Sequence, residues 1–217
     1  MSANPIVSQH TKLAEAVERF RRWADTTVPA ERGGEWECDY EEWGDLYGSA
    51  RSVLRTSAEG WNDETKHLLI YAIARDNEME ILSKELTEEQ LLVLSVASMS
   101  SDEWAAKWQL AKQLGQDPLT EQREKLLLCF ASDENEYVRR RSLAALADSG
   151  SEHAEQLAMT AWQSGEEYQQ MACLHALWRI KSPLLPNYLE LAARDNRRYL
   201  AEIAERIRNK TGEFLGQ

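Results

Sequence analysis

Only three cysteines, Cys38, Cys129 and Cys173, occur in the 217 residues, an odd number without CxxC spacing. That usage excludes a disulfide framework, fits a reducing compartment and leads us to expect a cytoplasmic protein. Long apolar runs are missing as well. The longest strongly apolar stretch, residues 91–99, is far short of the roughly 20 residues that a membrane-spanning helix needs. Residues 1–8 carry no basic-then-apolar signal pattern. Positive charge is scarce, with 25 Lys and Arg against 37 Asp and Glu for a formal charge of −12. Such a balance argues against a nucleic-acid backbone or an anionic membrane as partner. The four histidines (His10, His67, His153, His175) are scattered, and HExxH, a Gly-rich phosphate loop and GxSxG are all absent. No catalytic residue, metal ligand or cofactor is therefore expected, and His175 beside Cys173 is expected as a satisfied core side chain.

What is present is a hydrophobic fraction of 43%, ordinary for a folded chain and too high for disorder. The negative charge is unevenly distributed. Residues 1–103 hold 21 acids and 10 bases, whereas residues 104–217 hold 16 acids and 15 bases. Two stretches carry the excess: residues 31–45 with seven acids and one base, and residues 76–103 with eight acids and one base. Solvated faces usually mix their signs, so this segregation points to a function.

Helical signals follow one another with short gaps, and no segment alternates as a strand would. Leu13, Val17, Phe20 and Ala24 share one face of a first helix that Pro29 and Gly33-Gly34 end. Tyr40, Trp43, Tyr47 and Leu54 fit a second, with Asp39 and Glu42 as its capping box. Asn62 caps a third, and Thr87 with Gln90 is a capping box for a helix carrying Leu91, Leu92 and Leu94. Ser100 with Glu103, Asp133 with Glu136 and Ser164 with Glu167 repeat the device, while Ser151 and Ser182 open further helices. Gly115 is expected as a left-handed residue after a helix, and Pro118 in the first turn of the next. About twelve helices result.

Residues 104–217 contain a repeat. Trp104, Tyr137, Tyr168 and Tyr199 each stand near a helix start, 33, 31 and 31 residues apart, the length of a helix–turn–helix unit. The tetrapeptide Ala-Arg-Asp-Asn recurs at 74–77 and 193–196, each time ahead of a new helix. One such hairpin cannot bury its apolar face alone, so neighbours must stack. Asp133-Glu134-Asn135-Glu136-Tyr137-Val138-Arg139, followed by Leu143-Ala144-Ala145-Leu146, resembles the HEAT-repeat family and its bacterial HEAT-like relatives. The match lies in the turn aspartate, the Val-Arg pair and the Ala/Leu-rich helix. It implies an all-α superhelix of stacked antiparallel helical hairpins without β-sheet. It also implies a ladder of aspartate–arginine contacts between repeats, through Asp133 and Arg139. Asp195 keeps the turn position, but Ala201 replaces the arginine, and Ser164 and Gln170 stand at the two positions of the intervening repeat. The expected organisation is one solenoid domain over 1–217, acidic and divergent over 1–103 and more clearly HEAT-like over 104–217.

The acidic–aromatic segment around Trp36 reads as a docking surface, with carboxylates to steer a basic partner and aromatics to anchor it. The expected partner-binding residues are Trp36, Glu37, Glu41, Glu42 and Asp45, joined by Glu78 and Glu80 of the second acidic stretch. Trp36 lies off the helical stripe and is expected to be exposed, whereas Tyr40, Trp43 and Tyr47 are expected in the core. Trp61, Trp104, Trp108, Trp162 and Trp178 read as helix packing. Of Arg139-Arg140-Arg141, the first is expected to bridge repeats and the others to be solvated. A monomeric, non-catalytic binder of a basic protein follows, such as an immunity protein neutralising a bacterial toxin. A docking scaffold of a larger complex is an alternative. A HEAT-like DNA glycosylase is another, disfavoured because it needs the positive concave face that this composition does not supply.

Overall fold

A computed structural model describes residues 5–33 and 36–215, with side chains for 9–33 and 36–210. Gly34, Glu35 and the first four residues, which the sequence reading drew on, lie outside the described residues. Among those described, the chain is all-helical: twelve α-helices, three short 3-10 turns and no strand. None of the helices is long and apolar enough to cross a membrane. The chain divides into two compact units, Met1–Gln113 and Leu114–Gln217, so the division falls ten residues after the change in charge at residue 103.

The N-terminal unit holds α1 (Pro5–Asp25), α2 (Trp43–Leu54), α3 (Asp63–Arg75), the short α4 (Ile81–Lys84), α5 (Glu88–Ser98) and most of α6 (Trp104–Leu114). α1 packs on α2 and α3, and α3 also contacts α4 and α5. The expected stripe of α1 is the buried one: Leu13, Val17 and Phe20 are fully buried and Ala24 nearly so. The Thr87–Gln90 capping box forms, and Gln90 Nε2 also donates to Leu54 O (2.6 Å), satisfying a carbonyl at the end of α2. Asn62 accepts from Thr65 N as expected. The stripe of α2 is different. Its buried residues are Leu46, Ala50 and Val53, and the aromatic series Trp43–Tyr47 is displaced to a half-buried flank. Asp39 falls in the 3-10 turn Trp36–Asp39, and Glu42 at the N-cap of α2 makes no side-chain cap.

The C-terminal unit contains α7 (Glu121–Phe130), α8 (Glu136–Asp148), α9 (Ala154–Gln163), α10 (Glu167–Arg179), α11 (Leu185–Ala193) and α12 (Arg198–Leu215). α8 packs on α7, α9 and α10, while α10 packs on α8, α9, α11 and α12. Leu143 and Leu146 of α8 are buried, as the repeat register requires. The 31-residue period extends to polar detail. α8 and α10 are followed by left-handed residues, Gly150 (φ 70°) and Lys181 (φ 54°). One residue on, Ser151 N donates to Leu146 O and Ser182 N to Leu177 O. Their hydroxyls accept from His153 N and Leu184 N and donate to Glu124 and Glu155 respectively.

Several local expectations shift. The cap of α8 is Asn135, accepting from Tyr137 N and Val138 N, while Asp133 accepts from Asn135 N. Ser101 rather than Ser100 accepts from Glu103 N. Ser164 accepts from Glu166 N, and Glu166 at the N-cap of α10 makes no side-chain cap. Pro118 lies before α7, which Thr120 caps. Gly115 does not have positive φ. It is needed for another reason, because a Cβ there would lie 2.6 Å from Ala145 Cβ and 2.9 Å from its Cα.

Arg139 reaches from α8 to the start of α10, but through Glu166 (3.3 Å) and not through an aspartate carboxylate, and its contacts with Asp133 (3.0 Å) and Glu134 (2.8 Å) are to their backbone oxygens. Arg140 and Arg141 are not simply solvated. Arg140 lies over the rings of Tyr137 (4.8 Å) and Tyr168 (5.0 Å), and Arg141 over Tyr137. At the turn before α12, where Ala201 stands at the position of the expected arginine, Arg197 makes the contact with Asp195 from four residues earlier. Its guanidinium holds both Asp195 oxygens and reaches back to Gly165 O (2.7 Å) and Gln170 Oε1. Trp61 and Trp108 are buried, whereas Trp104 is 45% exposed rather than packed. Trp162 meets Tyr188 edge-on, and Trp178 lies under Lys210. His175 is not a core residue but exposed on α10. Desolvation by the surrounding protein, then the charges of Arg206 and Lys210, hold its pKa below the usual value.

Candidate acidic–aromatic site

Phe20 is the hub from which the site is built. Fully buried on α1, it contacts Trp23, Trp36, Tyr40, Trp43 and Tyr71 with ring centroids 4.8–6.5 Å apart. Trp36 is part of this cluster, not an exposed anchor. Its ring stacks on Trp23 (5.5 Å, 6°) and lies under the Arg32 guanidinium at 4.6 Å. The residue is half-buried because the 3-10 turn folds it back onto α1. Trp43 Nε1 donates to Glu37 O (2.9 Å), tying that turn to the start of α2. One turn further along α2, Tyr47 stacks against Trp43 (5.4 Å, 26°).

Tyr47 OH donates to Asp76 Oδ1 (2.6 Å), and Asp76 Oδ2 accepts from Leu82 N (2.7 Å) in the first turn of α4. Asp76 is 2% exposed. Burial raises its pKa, and the hydrogen bonds from Tyr47 and the α4 backbone only partly offset that rise. Desolvation, together with the Asp76 acceptor, likewise pushes the Tyr47 phenol well above its ordinary value. The turn between α3 and α4 closes with Glu80 in the left-handed conformation (φ 52°), a costly geometry for a residue with a side chain.

These elements line an open cavity of about 350 Å³. Trp43, Tyr47, Met79 and Ile81 supply apolar wall, with Glu37 and Cys38 contributed by the 3-10 turn and Arg75, Asp76, Asn77 and Glu78 by the end of α3 and the following turn. The two acidic stretches, remote in sequence, thus meet at one place. Of the expected binding residues, Glu37 and Glu78 line the cavity and Trp36, Glu41, Glu42, Asp45 and Glu80 do not. Glu42 and Asp45 are exposed but share Arg19, at 2.7 and 3.1 Å. Glu80 is committed to Lys112 at 2.6 Å. Glu41 is exposed, and Glu37, Glu41 and Glu78 have no ion pair among the described residues. Arg75, the one cation in the wall, is occupied by an ion pair with Glu103 and by the ring of Tyr71 at 4.9 Å.

Sequence reasoning missed Asp76 and the exposed Met79, 62% accessible, as cavity residues. The recurrence of Ala-Arg-Asp-Asn was the available signal for Asp76, because both copies precede a helix whose backbone their aspartate then accepts. No group of side chains suited to a metal ion occurs among the described residues. Comparison with protein-family models, curated proteins and solved structures finds no match for this chain.

Proposed function

We propose that the chain is a non-catalytic, HEAT-like protein-binding module that engages and neutralises a basic partner protein, as an immunity protein does a bacterial toxin. The observation that carries this reading is the convergence of both acidic stretches on one cavity. Glu37 and Glu78 both line it, and neither has an ion pair among the described residues. A helical protein with exposed, uncommitted carboxylates beside apolar wall has the two ingredients of a docking site: charge that steers encounter and surface that holds the complex. The 31-residue recurrence of caps and left-handed helix ends, with first helices packed in series through α8, α10 and α12, supports the superhelical HEAT-like reading. A cytoplasmic setting accords with the cysteine usage.

The test is affinity capture from the native cell extract, followed by association kinetics with the captured protein purified. The expected partner is basic. Its on-rate should fall as salt rises, because exposed charges are screened beyond about 8 Å at physiological ionic strength, while its off-rate changes little. Reversal of Glu37, Glu41 and Glu78 together, none of which makes an ion pair among the described residues, should slow association with little change in Tm, whereas Glu42 and Asp45 are left in place because they hold Arg19. A neutral or acidic partner with a salt-independent on-rate overturns the reading.

A further inference from the structure

We infer that the cavity between the Trp36–Asp39 turn, α2 and the α3–α4 turn receives one arginine side chain of the basic partner. This rests on the function proposed above and adds the chemistry of the anchor. A planar guanidinium presents two faces that stack on aromatic rings and an edge of donors that grips carboxylates in pairs. The cavity offers both kinds of surface. Trp43 and Tyr47, stacked on each other at 5.4 Å, supply aromatic lining, the Arg51 guanidinium already lies over the Tyr47 ring at 5.9 Å, and Glu37 and Glu78 come from two different segments. The aliphatic stem of the same arginine finds Met79 and Ile81, and the first of these is otherwise an exposed large apolar side chain.

Charge within the wall agrees with this occupant. Arg75 is answered by Glu103 and turned against Tyr71, so it does not cancel Glu37 and Glu78. Asp76, with both oxygens engaged by Tyr47 OH and Leu82 N, fixes the aromatic wall and the turn that carries Glu78 and is not itself needed as a ligand. An aromatic or aliphatic anchor would leave the two carboxylates desolvated without a counter-charge, which is costly. A lysine would meet the charge but not the flat wall.

The direct test is nuclear magnetic resonance of the indole N–H of Trp43, assigned with Trp43→Phe, during titration with the peptide acetyl-Gly-Gly-Arg-Gly-Gly-amide. Matched peptides carry lysine or citrulline in place of arginine, and the indole of Trp162, in the other unit, serves as control. Saturable movement of the Trp43 signal with arginine, less with lysine and none with citrulline is expected. Glu37→Gln with Glu78→Gln should weaken the arginine titration by about tenfold, as loss of a charge-assisted hydrogen bond does. Both residues are outside the core, so the fold is retained. Equal movement with citrulline, equal movement with lysine, or none with arginine overturns the inference. The outcome is separable from that of the proposed function. Salt-sensitive capture of a basic protein that ignores the double variant removes the arginine pocket alone. A responsive pocket in a chain that captures no basic protein removes the proposed function alone.

Discussion

The same four residues, Ala-Arg-Asp-Asn, are used in both units and show how differently the two are built. In each copy the aspartate accepts a backbone N–H at the start of the next helix, Leu82 N from Asp76 and Arg197 N from Asp195. There the likeness stops. Asp76 is buried beneath a phenol, and burial raises its pKa. Asp195 sits at the surface in the grip of Arg197, which holds its pKa down to about 2. The N-terminal unit turns a local cap into a wall of a cavity, at the cost of a desolvated carboxyl. The C-terminal unit keeps the cap as a repeat contact in solvent. The recurring sequence therefore places an aspartate acceptor ahead of each helix, but the donor lies six residues on in one copy and two in the other, and the surroundings decide its electrostatics.

The largest expected effects come from the cores of the two units. Phe20→Ala removes the hub of the aromatic cluster and should cost about 3–5 kcal/mol, and Leu146→Ala about 2–5 kcal/mol. Urea denaturation gives the totals, and hydrogen exchange should place each loss in amides of its own unit. A loss below about 1 kcal/mol for Leu146→Ala would mean that the repeat register is wrong. Next in size is Gly115→Ala. The new methyl meets Ala145 Cβ and Cα, which cannot swing aside as a flexible tip would, so about 1–3 kcal/mol is expected from denaturant melts.

The two aspartates give the sharpest contrast, because their pH dependences have opposite signs. Asp76 has a raised folded pKa, so its contribution to stability is present below about pH 4 and is lost as pH rises through the folded value. Asp76→Asn keeps an acceptor for Leu82 N and a donor toward Tyr47, and should gain on the parent chain as pH rises in thermal melts. Asp76→Ala should lose about 1–3 kcal/mol at low pH by leaving Tyr47 OH and Leu82 N without their acceptor, and less as pH rises. Asp195 has a depressed pKa, so its contribution is present above about pH 4 and fades as pH falls toward about 2. Arg197→Ala should weaken that acid dependence, leaving the part due to the backbone N–H of residue 197, with the smallest change in Tm at neutral pH because the pair lies at the surface. Identical pH profiles for the Asp76→Asn and Arg197→Ala chains would erase the distinction between the two units.

Much of this contrast was open to the sequence in one unit and closed in the other. In residues 104–217 the 31-residue spacing of Tyr137, Tyr168 and Tyr199 placed each at the second residue of a helix, and burial of Leu143 and Leu146 followed. The replacement of the ladder arginine by Arg197 was not legible, because a long side chain reaches the same turn from a different helical position. In residues 1–103 the α1 stripe matches the expectation, but of the aromatics expected in the core only Tyr40, which precedes α2, is buried, and Trp43 and Tyr47 are half-buried. Leu46, Ala50 and Val53 are the buried residues of α2. Aromatics at helical spacing fit a core and the wall of a cavity equally well. Trp36 was expected outside because it lies off the stripe, yet a 3-10 turn brings it onto Trp23.

By itself the sequence determined the helical class, most helix positions, the repeat period and the concentration of acid in two stretches, because spacing, capping and charge are local or additive properties. Only the tertiary structure decided which acids remain uncommitted. Glu42 and Asp45 lie in the acidic segment but share a guanidinium from α1, and Glu80 lies in the other but pairs with Lys112. Glu37 and Glu78, 41 positions apart in the chain, come to line one cavity because the packing of α2 and α3 brings their turns together. Ion pairing and enclosure depend on distances between segments, and no count of residues along a chain contains those distances.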